Sequence, residues 1–139
     1  MMDEQQIQFY EGKLRYETDS WDLSVALKPG DKVIVLDVRS ESAYEIEHIP
    51  GAVSLPHGTM SSETTSTLDK SFTYIAYCDG IGCNASTKGA LNMTRLGFTV
   101  KELLGGLEWR GRDGYATEEK KPLQTNLWVI SGTGKLPSV

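Results

Sequence analysis

Cys78 and Cys83 are the residues of this sequence best suited to covalent chemistry, five positions apart in Cys78-Asp79-Gly80-Ile81-Gly82-Cys83-Asn84. A thiolate is a strong, soft nucleophile for sulfur or phosphoryl transfer, provided its surroundings lower the thiol pKa. The glycines at 80 and 82 let backbone N–H groups turn inward and form a nest. A helix starting near Ala85 would add the unpaired N–H groups and partial positive charge of its N-terminus. That field suits a thiolate, a persulfide or a bound oxyanion, and it marks Cys78 as the candidate nucleophile. Cys83 is open to three roles: a structural thiol, a resolving thiol that pairs with Cys78, or the nucleophile itself. His48 and His57 form no ligand cluster with the cysteines in sequence, so neither a metal nor a cofactor is expected.

The elements needed to position this loop are legible on both sides of it. Residues 72–77 read as a central strand that delivers Cys78 to its C-terminal end, where parallel sheets bind ligands. A helix over 85–96 follows, stopped by Gly97, with Ala85, Ala90, Leu91 and 93–96 as its packing side. Val33-Ile34-Val35-Leu36 is a continuous apolar run, short enough for a buried parallel strand. Asp37 and Arg39 follow at its C-terminal end, and Ser40 can cap a helix over 41–46. His48-Ile49-Pro50-Gly51 is a turn in which His48 serves as a tether, and 52–55 and 99–103 are further strands. Gly105-Gly106 breaks the chain before a short helix that begins at Leu107. Upstream, residues 1–13 read as a polar arm or frayed helix and 14–18 as an edge strand. Asp19 or Ser20 caps a segment over 21–27, with Trp21, Val25 and Leu27 on one face. Residues 57–71 read as a loop and short helix, and 127–130 as a run that closes a sheet edge or meets another subunit. Alternating strands and helices predict a three-layer α/β fold, with a central, mainly parallel sheet and helices on both faces, over 14–139.

Composition narrows the function. A chain of 139 residues is one ordinary domain. Its 39% apolar content is enough for a core without a staple. The net charge of −5 makes nucleic acid and anionic membranes poor partners. The acidity is uneven: residues 1–70 carry a net −7 and residues 71–139 a net +2, so an anion site is better sought in the second half. No run of about 20 apolar residues is present to span a membrane. The N-terminal residues are polar, without the basic and apolar regions of a targeting signal. Two cysteines are no disulfide framework, and a reducing cytoplasm is the plain expectation.

Three segments resemble the rhodanese-like family. The first is Val35-Leu36-Asp37-Val38-Arg39-Ser40 with Tyr44, Glu45 and His48-Ile49-Pro50-Gly51-Ala52-Val53-Ser54-Leu55-Pro56. The second is Tyr77-Cys78 with its glycine loop, the alanine-containing helix and Leu96-Gly97-Phe98. The third is the stretch from Val100 to Leu104 with Gly105-Gly106-Leu107-Glu108-Trp109. Together they cover about residues 30–115, in the family's order.

The resemblance implies a single-domain sulfurtransferase. Cys78 would carry a persulfide, and the backbone of Asp79, Gly80, Ile81, Gly82, Cys83 and Asn84 would cradle it. Asp37 and Arg39 would support the loop's base. A small sulfur donor and a thiol or protein acceptor would be the partners. The loop departs from the commonest pattern: Gly82 comes one position late and Asn84 stands where Arg is usual. Its length resembles Cdc25-type phosphatases of the same superfamily, but Asn84 has no charge to clamp a phosphate, which argues against a phosphatase or arsenate reductase. That departure puts thiosulfate in doubt as the physiological donor, and Asp79 beside the thiol modestly opposes anionic donors as well. Lys88 is the nearest sequence-local cation that could compensate. The remaining alternative is a non-catalytic rhodanese-like module that binds a partner or senses oxidation.

Overall fold

The structure, a computed structural model, describes residues 1–27 and 31–119. The elements run in the order α1 (Glu4–Tyr16), β1 (Glu17–Thr18), α2 (Ser20–Ala26), β2 (Val33–Asp37), α3 (Glu41–Ile46), β3 (Glu47–His48) and β4 (Val53–Ser54). After a 3-10 turn at His57–Thr59 come β5 (Thr73–Tyr77), α4 (Ala85–Arg95), β6 (Thr99–Leu103), α5 (Gly106–Arg112) and β7 (Glu118–Glu119). Five strands form one sheet in the order β1-β6-β5-β2-β4. Every pairing in it is parallel. A small antiparallel pair, β3 with β7, lies apart from it.

The sheet divides the core by strand periodicity, since successive side chains point to opposite faces. Val35, Ile75 and Tyr77 face Leu23 of α2 and Leu107 of α5, and Tyr44 of α3 packs against them. Leu36, Tyr74, Ala76 and Val100 face Met93 of α4 and Phe98. The result is the expected three-layer α/β arrangement. The registers Ile34↔Tyr74 to Asp37↔Tyr77 bring the C-terminal ends of β2 and β5 level, which sets Asp37 beside the start of the Cys78 loop.

Local signals place several boundaries. Asp19 caps α2 by accepting from the Asp22 N–H at 2.8 Å, and Ser40 caps α3 by accepting from the Ala43 N–H at 3.2 Å. Three expectations are corrected. The edge strand over 14–18 shrinks to Glu17–Thr18, because the helix capped by Asp3 runs on through Tyr16. In α2 the buried residues are Ser20 and Leu23, while Trp21 and Val25 stay exposed. In α4 Leu91 is exposed and Ser86, Gly89 and Met93 are buried. Gly89 is demanded by closeness: a Cβ there would stand 2.8 Å from Val38 Cγ1, so glycine seats α4 against the end of β2. The apolar run 127–130 lies outside the described residues. Among those described, no helix is long and apolar enough to cross a membrane.

Candidate active site

Cys78 follows directly on β5 and is 3% exposed. It lines a cleft of about 440 Å³ together with Cys83, Asp79, Arg39 and the backbone turn at Pro56, His57 and Gly58. α5 holds the loop's base from outside. The Leu107 N–H donates to the Cys78 carbonyl at 3.0 Å, and the Glu108 N–H donates to the Asp79 carbonyl at 2.7 Å. Gly106 makes that grip possible. It has φ +57°, and any Cβ there would collide with the Cys78 carbonyl oxygen. A Cβ on Gly80 would come within 2.7 Å of the Glu108 carboxylate.

With its first two carbonyls turned toward α5, the loop keeps its amides free. The N–H groups of Asp79, Gly80, Ile81, Gly82 and Asn84 have no acceptor among the described residues. Cys83 differs: its N–H donates to the Gly80 carbonyl at 3.2 Å, closing a tight turn in which Gly82 has φ +94°. Cys83 therefore contributes its side chain and not its amide. That turn brings Cys83 back over Cys78, and the two sulfurs are bonded as a disulfide with Cα atoms 6.3 Å apart. Asn84 begins α4 without a capping side-chain bond, so the helix N-terminus also offers unpaired N–H groups.

Arg39 ties this loop to β2. Its Nε donates to Asp37 Oδ1 at 3.0 Å, its Nη2 to Asp37 Oδ2 at 2.7 Å and its Nη1 to Asp79 Oδ1 at 2.8 Å. Nη2 also donates to the Glu47 carbonyl at 2.6 Å. Tyr77 Oη donates to Asp37 Oδ2 at 2.7 Å and accepts from the Ile49 N–H at 3.1 Å. Asp37, fully buried, is thus saturated with donors, as a buried carboxylate requires. Burial opposes the Arg39 charge, but the bonds to Asp37 and Asp79 outweigh it and hold the guanidinium firmly protonated. Burial, reinforced by the bond to Asp37, pushes the Tyr77 hydroxyl well above the ordinary phenol value.

The charges decide which ligands suit the cleft. Arg39 is the only Arg or Lys lining it among the described residues, and two carboxylates already balance that charge. Asp79 is 71% exposed at the mouth. Lys88 sits exposed one turn into α4, away from the cleft lining. The sulfurs of Cys78 and Cys83 and a carboxylate oxygen of Asp79 lie within 4.8 Å of one another. As metal donors they would need the disulfide reduced. His48 tethers its turn: Nδ1 meets the Tyr44 carbonyl at 2.8 Å and Nε2 meets Glu118 Oε1 at 3.1 Å.

Of the residues singled out in sequence, the fold gathers Cys78, the loop 79–84, Asp37 and Arg39, and leaves Lys88 outside. Sequence reasoning missed Tyr77, Glu47 and Gly106 as parts of the site. Tyr77 carried a signal, a hydroxyl on the residue directly before Cys78. So did the double glycine at 105–106. Glu47 had none, because it contributes a backbone carbonyl.

Known proteins resemble this chain in fold and sequence. The BH2092 protein of Bacillus halodurans is 41% identical, with a TM-score of 0.77 over 88% of this chain and 93% of its own. The rhodanese-like domain of the Anabaena Alr3790 protein is 28% identical, with a TM-score of 0.63 over 88% of this chain and 96% of its own. A tRNA sulfurtransferase from Thermoplasma acidophilum is 39% identical over an alignment of 88 residues that covers 57% of this chain and 17% of that protein. An HTH-type transcriptional regulator, Rv0324, from Mycobacterium tuberculosis is 34% identical over 83 residues. The present chain spans 35% of that regulator, so these two likenesses concern one part of longer proteins. The rhodanese-like domain family matches residues 22–110, the stretch that holds four of the five parallel strands, the Cys78 loop and the Arg39 network, and the chain belongs to that family.

Proposed function

We propose that this protein is a sulfurtransferase that moves a sulfane sulfur through a persulfide on Cys78. The observation that carries the reading is Cys78 in a cleft at the end of β5, followed by five loop amides without acceptors among the described residues and a helix N-terminus without a side-chain cap. Such donors stabilise a thiolate and the persulfide anion formed from it. In the reduced protein the Cys78 thiolate attacks the outer sulfur of a donor persulfide. A new S–S bond forms, and the donor's S–S bond breaks with its electron pair leaving on the donor thiolate. An acceptor thiolate then attacks the outer sulfur, and Cys78 departs as thiolate. Each step is thiol–disulfide exchange in form and needs no general acid.

The cleft favours a donor without strong negative charge, since Arg39 is already balanced and Asp79 guards the mouth. Small thiol persulfides and protein persulfides fit better than thiosulfate, with a thiol or protein cysteine as acceptor. A reducing compartment such as the cytoplasm would keep the site open to both. The test is intact mass after a reduced Cys83→Ser variant, which has no second thiol to discharge the site, meets a thiol persulfide or thiosulfate. A gain of one sulfur (~32 Da) that Cys78→Ala abolishes supports the reading. No gain from either donor in folded, reduced protein overturns it. That result would favour the second reading, a redox-sensing module, for which the Cys78–Cys83 disulfide is the specific observation.

A further inference from the structure

We infer that Cys83 is a resolving thiol that discharges the Cys78 persulfide as hydrosulfide, so that the protein also releases sulfide at the expense of a dithiol reductant. The inference rests on the sulfurtransferase reading. The loop is built to return Cys83 to Cys78. Gly82 takes a left-handed turn at φ +94°, the Cys83 N–H closes onto the Gly80 carbonyl, and the two Cα atoms stand 6.3 Å apart with the sulfurs bonded. That separation lies within the range a disulfide spans without backbone movement. No other cysteine exists in the chain to compete.

The step balances. Cys83 gives its proton to the outer sulfur of the Cys78 persulfide anion and attacks the inner sulfur, Cys78 Sγ. The Cys83–Cys78 bond forms, the bond to the outer sulfur breaks, and that sulfur leaves as HS⁻ with the electron pair. The sulfane sulfur is reduced to sulfide and the two thiols are oxidised to the disulfide. A dithiol then restores the site. Its thiolate attacks Cys83 Sγ, which is half-buried where Cys78 is buried. Cys78 leaves as the thiolate that the loop amides stabilise, the better leaving group of the two. The dithiol's second sulfur closes the mixed disulfide and releases Cys83.

The experiment is a single turnover without external reductant. Reduced wild type and Cys83→Ser receive one equivalent of a small thiol persulfide and are freed of small molecules. Intact mass and released sulfide are then followed together. Wild type is expected to end ~2 Da below the reduced mass, with one sulfide released per chain, while Cys83→Ser holds its ~32 Da gain and releases none. If wild type keeps the added sulfur as long as Cys83→Ser does, the resolving role is overturned and the sulfurtransferase reading stands. If neither protein takes up sulfur, both fall.

Discussion

Replacing Tyr77 by Phe is the sharpest test of how this site is held together. The substitution keeps the ring, which packs between Val35, Ile75 and Leu107 in the core, and deletes only the hydroxyl. Two bonds go with it: the 2.7 Å bond donated to Asp37 Oδ2 and the 3.1 Å bond accepted from the Ile49 N–H. Asp37 keeps Arg39 Nε, Nη2 and the Arg39 N–H, so its carboxylate stays satisfied. Ile49 is fully buried, and its N–H is left without a partner. A hydrogen bond to a charged group contributes about 1.5–3 kcal/mol net, and an orphaned buried donor costs about 1–3 kcal/mol. Both belong to one network and do not simply add. A destabilisation of about 3 kcal/mol is expected, within the ~5–15 kcal/mol of a typical domain, so the variant should still fold. Urea denaturation followed by circular dichroism reads it as a lower midpoint with an unchanged slope. Tyr74→Phe is the control, because that hydroxyl donates only to the Asp69 carbonyl, at 2.9 Å, and about 1 kcal/mol is expected. A Tyr77→Phe cost below ~1 kcal/mol, or equal to that of Tyr74→Phe, would refute the reasoning.

Three further perturbations follow from the same geometry. Gly106→Ala should cost at least about 2 kcal/mol, from a left-handed φ and a collision with the Cys78 carbonyl, and should slow persulfide loading. Gly51→Ala has strain at φ +81° but open space around it, so equal costs in urea would show that the contact with Cys78 is immaterial. In an alkaline absorbance titration, Tyr74 and Tyr77 should ionise above the ordinary phenol value of ~10, both pushed up chiefly by burial. For a raised pKa the stabilisation is complete below the unfolded value of ~10 and is lost as pH rises toward the folded one, so stability should decline above pH ~10. An absorbance step near pH ~10 in folded protein that Tyr74→Phe and Tyr77→Phe each diminish would contradict this. Asp79→Asn removes an exposed negative charge beside the thiol and should raise loading from thiosulfate about 2- to 5-fold at low salt, an advantage that added salt erases. A rate unaffected by the substitution would remove charge as the reason for doubting thiosulfate.

What the chain determined by itself is the local part of the site. The apolar run before Asp37, the caps at Asp19 and Ser40, and strand, cysteine, glycine loop and helix in succession are all written within a few residues of one another. Turn chemistry, capping and strand periodicity act over that same range, so β2, β5, α4 and Cys78 were all readable. Tertiary structure decided which residues the site borrows from elsewhere. Arg39 reaches Asp79 and Tyr77 reaches Asp37 across 40 positions, contacts that exist only because β2 and β5 pair in one register. The same packing balanced the Arg39 charge and placed Lys88 away from the cleft. It also chose Leu23 over Trp21 as the buried face of α2, since apolar residues on both sides of a short helix leave its orientation to whatever it packs against. Spacing left three roles open for Cys83, and only the folded turn through Gly82, closed by the Gly80 carbonyl, brought its sulfur to Cys78. A linear pattern lists the donors and acceptors a chain owns, while the fold decides which of them meet, because that depends on strand order and on what packs against each face.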